Sequence, residues 1–241
     1  MRVSVVIPAY NEERLLPGTL QALGVALAPL HAAGWAAEVV VADNNSTDAT
    51  ARVAREAGAR VVFEPINMIS RARNAGAAVA TGDWLVFLDA DSTPCAGLFG
   101  SLMDAIRSGR CYAGGSTLRL DGGGLAAAAV AGGWNLLSRL ARLPAGSFYF
   151  VDAAVFRDVG GFPADVYAGE EIELSRRLRR SALVRGRGRV ILASHPLLTS
   201  ARKVSLYTPG ELLAFWARAM LRPRATLRRR DACAIWYDGR R

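Results

Sequence analysis

Two aspartates one residue apart, Asp89-Ala90-Asp91, follow directly on the apolar run Trp84-Leu85-Val86-Phe87-Leu88. Carboxylates at i and i+2 at a strand end can face one hard cation. Mg²⁺ or Mn²⁺ takes one or two protein carboxylates and completes its shell with phosphate oxygens. A cation held this way neutralises a diphosphate and helps it leave. A lone triplet reads equally well as a solvated turn, so the decision rests on context. Two further polar clusters supply it. Ala9-Tyr10-Asn11-Glu12-Glu13 follows the run Val3–Ile7 and its closing Pro8, and Asp43-Asn44-Asn45 follows Glu38–Ala42. In an open parallel sheet, ligands bind at the carboxyl ends of the strands. Three clusters converging on one edge make a site where one alone would not.

The elements that must position them alternate. Strands are expected at Val3–Ile7, Glu38–Ala42, Arg60–Phe63 and Trp84–Leu88, with helices over 12–28, 48–57 and 69–80. Ser46 or Thr47 is placed to cap the second of these helices. This alternation indicates βαβ units and a mainly parallel, Rossmann-like sheet flanked by helices. Beyond Asp91 a helix is expected near 95–108. Cys111–Leu120 reads as a strand that leaves the first sheet, and 122–146 is too rich in Gly and Ala to assign. Phe148–Val151 and 188–193 read as strands, and 153–159 and 170–181 as helices. Thr208-Pro209-Gly210-Glu211 carries the signature of a helix start, with the helix running to about Leu221. The expected organisation is a nucleotide-binding half at 1–92, an acceptor half of the same domain at 93–207, and a basic C-terminal helical extension at 208–241.

These residues resemble a family. Val3-Ser4-Val5-Val6-Ile7-Pro8-Ala9-Tyr10-Asn11-Glu12-Glu13 is similar to the opening motif of family 2 glycosyltransferases, and Asp43–Asp48 to their second motif. Ala72-Arg73-Asn74-Ala75-Gly76 resembles their Ala-Arg-Asn-x-Gly helix, and Asp89-Ala90-Asp91 their DXD. Val159-Gly160-Gly161-Phe162 followed by Glu170-Glu171-Ile172-Glu173-Leu174 resembles their Gly-Gly-Phe … Glu-Asp-x-Glu-Leu segment. The resemblance implies a GT-A fold and inverting transfer of a sugar from a nucleotide-sugar donor, of UDP or GDP type, to a hydroxyl of an unidentified acceptor, with Mg²⁺ or Mn²⁺ as cofactor. By the match, Pro8, Tyr10, Glu12, Asp43 and Asn44 hold the nucleoside. Arg73 organises the donor pocket, and Asp89, Ala90 and Asp91 face the ribose, metal and diphosphate.

The chain departs from the pattern twice. Asp43-Asn44 replaces the usual Asp-Asp, and an amide can donate where a carboxylate only accepts. Glu170-Glu171 replaces Glu-Asp, which puts Glu171 in the register of the catalytic base, with Glu170 as the alternative. Glutamate is a competent base. The plainer reading, that acidic residues merely favour a helix start, is compatible with it. Related enzymes place a metal-binding histidine near His195; the competing reading is a packing histidine.

Composition completes the picture. Of 241 residues, 30 are Lys or Arg and 21 Asp or Glu, a net charge of +9, and 51% are hydrophobic, which excludes a disordered chain. The charge is uneven: residues 1–173 hold 13 Arg and 18 acidic residues, net −5, whereas 174–241 hold 16 Arg and Lys203 against three acidic residues, net +14. Arg176, Arg177, Arg179 and Arg180 suit the C-terminal end of the helix that Glu170 opens. Arg202 and Lys203 sit where a segment could close over a diphosphate. The apolar segment 212–222, flanked by arginines, reads either as a helix packed on the body or as a peripheral membrane contact. The three cysteines lack metal spacing and suggest a reducing compartment. The start lacks a signal-peptide pattern, and Gly122–Ser138 is too short to span a bilayer. A cytoplasmic enzyme, at the inner face of the cell membrane if the C-terminal segment meets lipid, is expected. The competing classes are a basic nucleic-acid-binding protein, which lacks any recognised motif here, a nucleotidyltransferase, which would want a Gly-rich basic loop where Ala9–Glu13 stands, and a non-catalytic relative.

Overall fold

The computed structural model describes residues 1–122, 124–202, 206–207, 209–233 and 237. In chain order the elements are β1 (Arg2–Ala9), α1 (Leu16–Ala26), α2 (Ala28–Ala32), β2 (Ala36–Asp43), α3 (Thr50–Glu56), β3 (Arg60–Phe63), α4 (Ile69–Val79), β4 (Trp84–Leu88), β5 (Ser92–Thr93), α5 (Ala96–Arg107), β6 (Cys111–Asp121), α6 (Gly124–Ala141), β7 (Phe148–Asp152), α7 (Ala153–Asp158), α8 (Glu170–Leu178), β8 (Gly188–Ser200), α9 (Pro209–Leu221) and α10 (Pro223–Leu227).

The described strands form one sheet in the order β3-β2-β1-β4-β7-β6-β8-β5. β1 is parallel to β2 and β4, and β2 is parallel to β3. The carboxyl ends of β1, β2 and β4 therefore share one edge, as the alternation of elements requires. β1 is apolar without alternation because both of its faces are covered. Val3, Val5 and Ile7 face α1 and α5 with Leu16, Leu23, Leu98 and Phe99. Val6 faces the other layer with Phe87, Phe156, Phe162 and Leu174.

Three expectations are corrected. β6 does not leave the sheet: β7 pairs antiparallel with β4, and β6 pairs with β7 at Ala113–Gly115. Residues 12–15 are not helical, because they are tied to the loop after β2; α1 starts at Leu16. Neither Ser46 nor Thr47 caps α3. The N-cap is Ala49, which offers no side-chain bond, and Asp48 Oδ1 accepts from Thr50 N, the first helical residue, at 2.9 Å.

The stretch that resisted assignment is α6. Asn135 anchors it to the sheet, with Oδ1 accepting from Leu118 N and Nδ2 donating to Leu118 O, both at 2.8 Å. One side chain thus completes backbone pairing for β6. The pairing of β5 with β8 (Ser92↔Thr199) brings the chain after Asp91 beside the end of β8. Ser200 N then donates to Asp91 O at 3.2 Å.

Gly76 shows how tightly α4 is seated. A Cβ there would lie 2.3 Å from Val6 Cγ1. Gly76→Ala is expected to destabilise the protein by about 1–3 kcal/mol through overpacking, measured as a lowered denaturation midpoint with the slope unchanged.

Candidate active site

Arg73 lies at the centre. It is carried by α4 and is only 1% exposed. Nη1 donates to Glu170 Oε1 at 2.5 Å, and Nη2 donates to Asp89 Oδ1 at 3.0 Å and Gly146 O at 2.9 Å. Its guanidinium lies 5.4 Å from the centre of the Phe162 ring. Burial opposes its charge, but Glu170 and then Asp89 outweigh burial and push its pKa further up. A planar fork suits this arrangement, since its donors leave in fixed directions and can serve several acceptors together.

The next residue, Asn74, closes the same joint. Its Oδ1 accepts from Phe162 N and its Nδ2 donates to Phe162 O, both at 2.9 Å. Gly161 has φ +72°, and a Cβ there would lie 2.7 Å from Asn74 Oδ1. The Arg-Asn pair and the Gly-Gly-Phe turn are thus two halves of one contact. It fixes Phe162 beneath Arg73 and sets the approach to α8.

The first two loops are laced together. Asn11 N donates to Ser46 Oγ, Glu12 N to Thr50 Oγ1 and Glu13 N to Asp48 Oδ2, at 3.0, 2.8 and 3.1 Å. Asp43, buried, accepts from Ser46 N at 3.1 Å. Asn44 is buried and committed to backbone: Oδ1 accepts from Met68 N at 2.8 Å, and Nδ2 donates to Glu64 O at 3.3 Å and Ile66 O at 2.6 Å. A carboxylate could not donate to those two carbonyls. The amide in place of the usual aspartate therefore has a structural cause, and Asn44 shapes the wall of the site. Pro8 and Tyr10 are half-buried at the end of β1.

Arg202 closes the site from β8. Nη2 donates to Glu12 Oε1 at 2.8 Å and Nη1 to Oε2 at 3.3 Å, and Nη2 lies 3.6 Å from Asp91 Oδ2. Burial opposes its charge while Glu12 and Asp91 raise its pKa. Lys203, the other expected clamp residue, lies outside the described residues. Asp89, Asp91 and His195 do not come together: among the described residues no three His, Cys, Asp or Glu side chains are grouped to hold a metal. The exposed His195 ring lies over Gly97 of α5, with Nδ1 3.2 Å from Ser101 Oγ. The aspartates suit Mg²⁺ or Mn²⁺ in another way. They are hard oxygen donors, and such ions accept one or two carboxylates when phosphates supply the remaining ligands.

The two glutamates at the start of α8 differ in kind. Glu170 is buried and bound to Arg73. Glu171 is half-buried and forms no direct ion pair among the described residues. Burial first, then the Glu170 carboxylate, pushes the Glu171 carboxyl up to about 8 against the pull of Arg73. A group poised near neutrality is suited to taking and returning a proton.

Sequence reasoning missed the Gly146 carbonyl, the Phe162 ring beneath Arg73, and the Glu12–Arg202 pair. The last joins residues 190 positions apart and leaves no local signal.

The shift of Glu171 has a sign. The folded state holds the proton between the ordinary value near 4.5 and about 8. Its contribution to stability is therefore full below the ordinary value and is lost as pH rises through about 8. Denaturation midpoints followed against pH are expected to decline over that window, and Glu171→Gln is expected to flatten the decline.

Comparison with known proteins agrees with this layout. Residues 4–157 match the profile of Glycosyl transferase family 2. An uncharacterized glycosyltransferase of Mycobacterium tuberculosis is 44% identical over 95 residues, which cover 39% of each chain. The match thus spans well under half the length of that relative. Among solved structures, S. aureus TarS 1–349 in complex with UDP-GlcNAc aligns with TM-score 0.66 at 17% identity, over 99% of this chain and 71% of that one. Glucosyl-3-phosphoglycerate synthase from Mycobacterium tuberculosis, in complex with Mn²⁺, UDP and phosphoglyceric acid, aligns with TM-score 0.63 at 23% identity, over 95% and 80%. These two likenesses establish the fold, which is that of the GT-A glycosyltransferases. With the profile covering more than half of the sequence, the chain belongs to glycosyl transferase family 2.

Proposed function

We propose that the protein is an inverting glycosyltransferase. It moves a sugar from a nucleoside-diphosphate donor, UDP first, to a hydroxyl acceptor, with Mg²⁺ or Mn²⁺ bound through Asp91 and Asp89. The observation that carries this reading is the Arg73 joint. One buried guanidinium sets Asp89 and the start of α8 in a fixed relation, so Glu171 stands beside the DXD edge.

The roles follow from the chemistry. Asp43 and the laced loops after β1 and β2 form the nucleoside end. The divalent ion supplies neutralisation of the leaving diphosphate when bound. Glu171 takes the proton of the acceptor hydroxyl as that oxygen attacks the anomeric carbon opposite the phosphate, and a single displacement inverts the centre. Arg202 holds Glu12 and Asp91 in the resting state and turns its guanidinium to the diphosphate when the donor arrives. Arg73 binds Glu170 and holds it in place, which leaves Glu171 as the base.

The nucleic-acid alternative loses ground because arginines of the basic quarter are paired with carboxylates of this chain, Arg202 in the site and Arg228 and Arg229 at the surface. Arg202 binds Glu12, Arg228 lies 3.1 Å from Asp165, and Arg229 binds Asp231. The described part of the C-terminal extension turns Phe215 inward against Ala168 and Cys233, as a packed helix does. Among the described residues no helix is long and apolar enough to cross a membrane. A reducing, cytoplasmic setting is part of the proposal and agrees with the free Cys95, Cys111 and Cys233.

A thermal-shift screen of UDP-, GDP- and dTDP-sugars with Mn²⁺ or Mg²⁺ is expected to give a metal-dependent rise with UDP donors. Asp91→Ala is expected to abolish that rise. Glu171→Gln is expected to keep it and to lose nucleoside-diphosphate release by about 100-fold or more, the usual weight of a general base. Normal release by Glu171→Gln would place the base elsewhere, and absence of any shift would overturn the donor reading.

A further inference from the structure

The outward side of α6 is apolar along its whole length. Leu125 is 91% exposed, Leu140 77%, Leu136 62%, Val130 60% and Leu137 52%. These residues share one face, because their spacing returns to the same side of a helix of 3.6 residues per turn. The opposite side is already used: Ala127, Ala131 and Ser138 are buried, and Asn135 is bonded to β6. α6 therefore cannot hide its leucines by rolling over. A monomer in water does not ordinarily leave such a face uncovered.

Charge identifies what covers it. Between Asp121 and Asp152 the sequence has no acidic residue, and its only charges are Arg139 and Arg142. Both are exposed, and neither has an ion pair among the described residues. A second copy of the chain seated on this face finds no carboxylate within α6 to meet these arginines. An anionic bilayer offers the complement of both features: an acyl boundary for the leucines and lipid phosphates for the arginines. The placement has a consequence for the site. Ser138 Oγ donates to Leu143 O at 2.7 Å at the end of α6, and the chain then reaches Gly146, whose carbonyl binds Arg73.

We infer that α6 is a bilayer-docking helix that lays Leu125, Leu136, Leu137 and Leu140 into an anionic membrane surface, with Arg139 and Arg142 at the lipid phosphates. The docking surface inferred is α6, with the C-terminal extension, which exposes Leu221, as the competing site.

The test is flotation of the full chain with phosphatidylglycerol/phosphatidylcholine vesicles and with pure phosphatidylcholine vesicles. The chain is expected to float with the anionic vesicles and at least tenfold less with the neutral ones. The double variant Leu136→Glu/Leu140→Glu is expected to lose at least tenfold of the bound fraction, while its unfolding midpoint and donor-induced shift stay unchanged. Leu136→Ala/Leu140→Ala, which introduces no charge, is expected to lose part of the binding and guards against a folding defect in the first variant. Arg139→Ala/Arg142→Ala is expected to erase the preference for anionic lipid. Arg228→Ala/Arg229→Ala, in the C-terminal extension, is expected to bind within twofold of the parent. The inference is overturned if the parent chain does not float with anionic vesicles, if the leucine variants float as it does, or if the C-terminal pair carries the binding. Self-association abolished by the leucine substitutions, without flotation, would assign the face to a second copy.

Discussion

A buried guanidinium sets the terms for the rest of this molecule. Arg73 must have its charge balanced, because an unpaired ion in a protein interior is costly, and breaking a buried pair typically costs roughly 3–5 kcal/mol. The balance comes from four distant parts of the chain: the end of β4 through Asp89, the start of α8 through Glu170, the loop before β7 through Gly146, and the Phe162 ring. None of these can move without stranding the charge. The parts of the fold that carry these groups are therefore held together at Arg73 by electrostatic necessity. Apolar packing on both sides of β1 supplies stability, but packing alone tolerates small slips that this joint does not.

The same joint divides labour between two adjacent glutamates. Their sequence environment is nearly identical, both lying at the acidic start of α8. One is paired with the Arg73 guanidinium as a structural counter-group. The other is desolvated by burial and also receives the repulsion of the first, and its proton affinity rises. A single ion pair thereby turns a repeated residue into a support and a titratable group. This ordering agrees with the motif register, which also favours Glu171.

Much of this layout was legible in the sequence. The ends of β3 and β4 fall where the apolar runs end, and three polar clusters do share one sheet edge, because strand alternation and the carboxyl-end rule are local signals. α6 was not legible. Gly and Ala give weak periodicity, and its position depends on Asn135 pairing with a strand seventeen residues earlier. The membership of β6 in the main sheet was also hidden, since strand order follows from long-range pairing that no local run encodes. Arg202 was visible as a candidate phosphate ligand, but its resting partners were not. They depend on β5 and β8 pairing to carry the end of β8 past Asp91. The amide at Asn44 was visible as a departure from the usual aspartate, but the three backbone bonds it makes were not.

The uneven charge follows from these placements. Carboxylates from the first half, Glu12, Asp43, Asp89 and Asp91, gather at the sheet edge, and α8 adds Glu170 and Glu171. Arg73 comes from that half too, but Arg202 comes from the basic quarter and is the cation that reaches the DXD edge from outside it. A site with more carboxylates than guanidinium groups favours binding of further positive charge and favours protonation of its least compensated acid, which is Glu171. Added positive charge near Asp91 would lower the proton affinity of Glu171, because like-charge repulsion from the neighbouring carboxylates is part of what raises it. A divalent cation at Asp91 would push Glu171 towards ionisation, and the negative charge of a diphosphate arriving with it would offset that push.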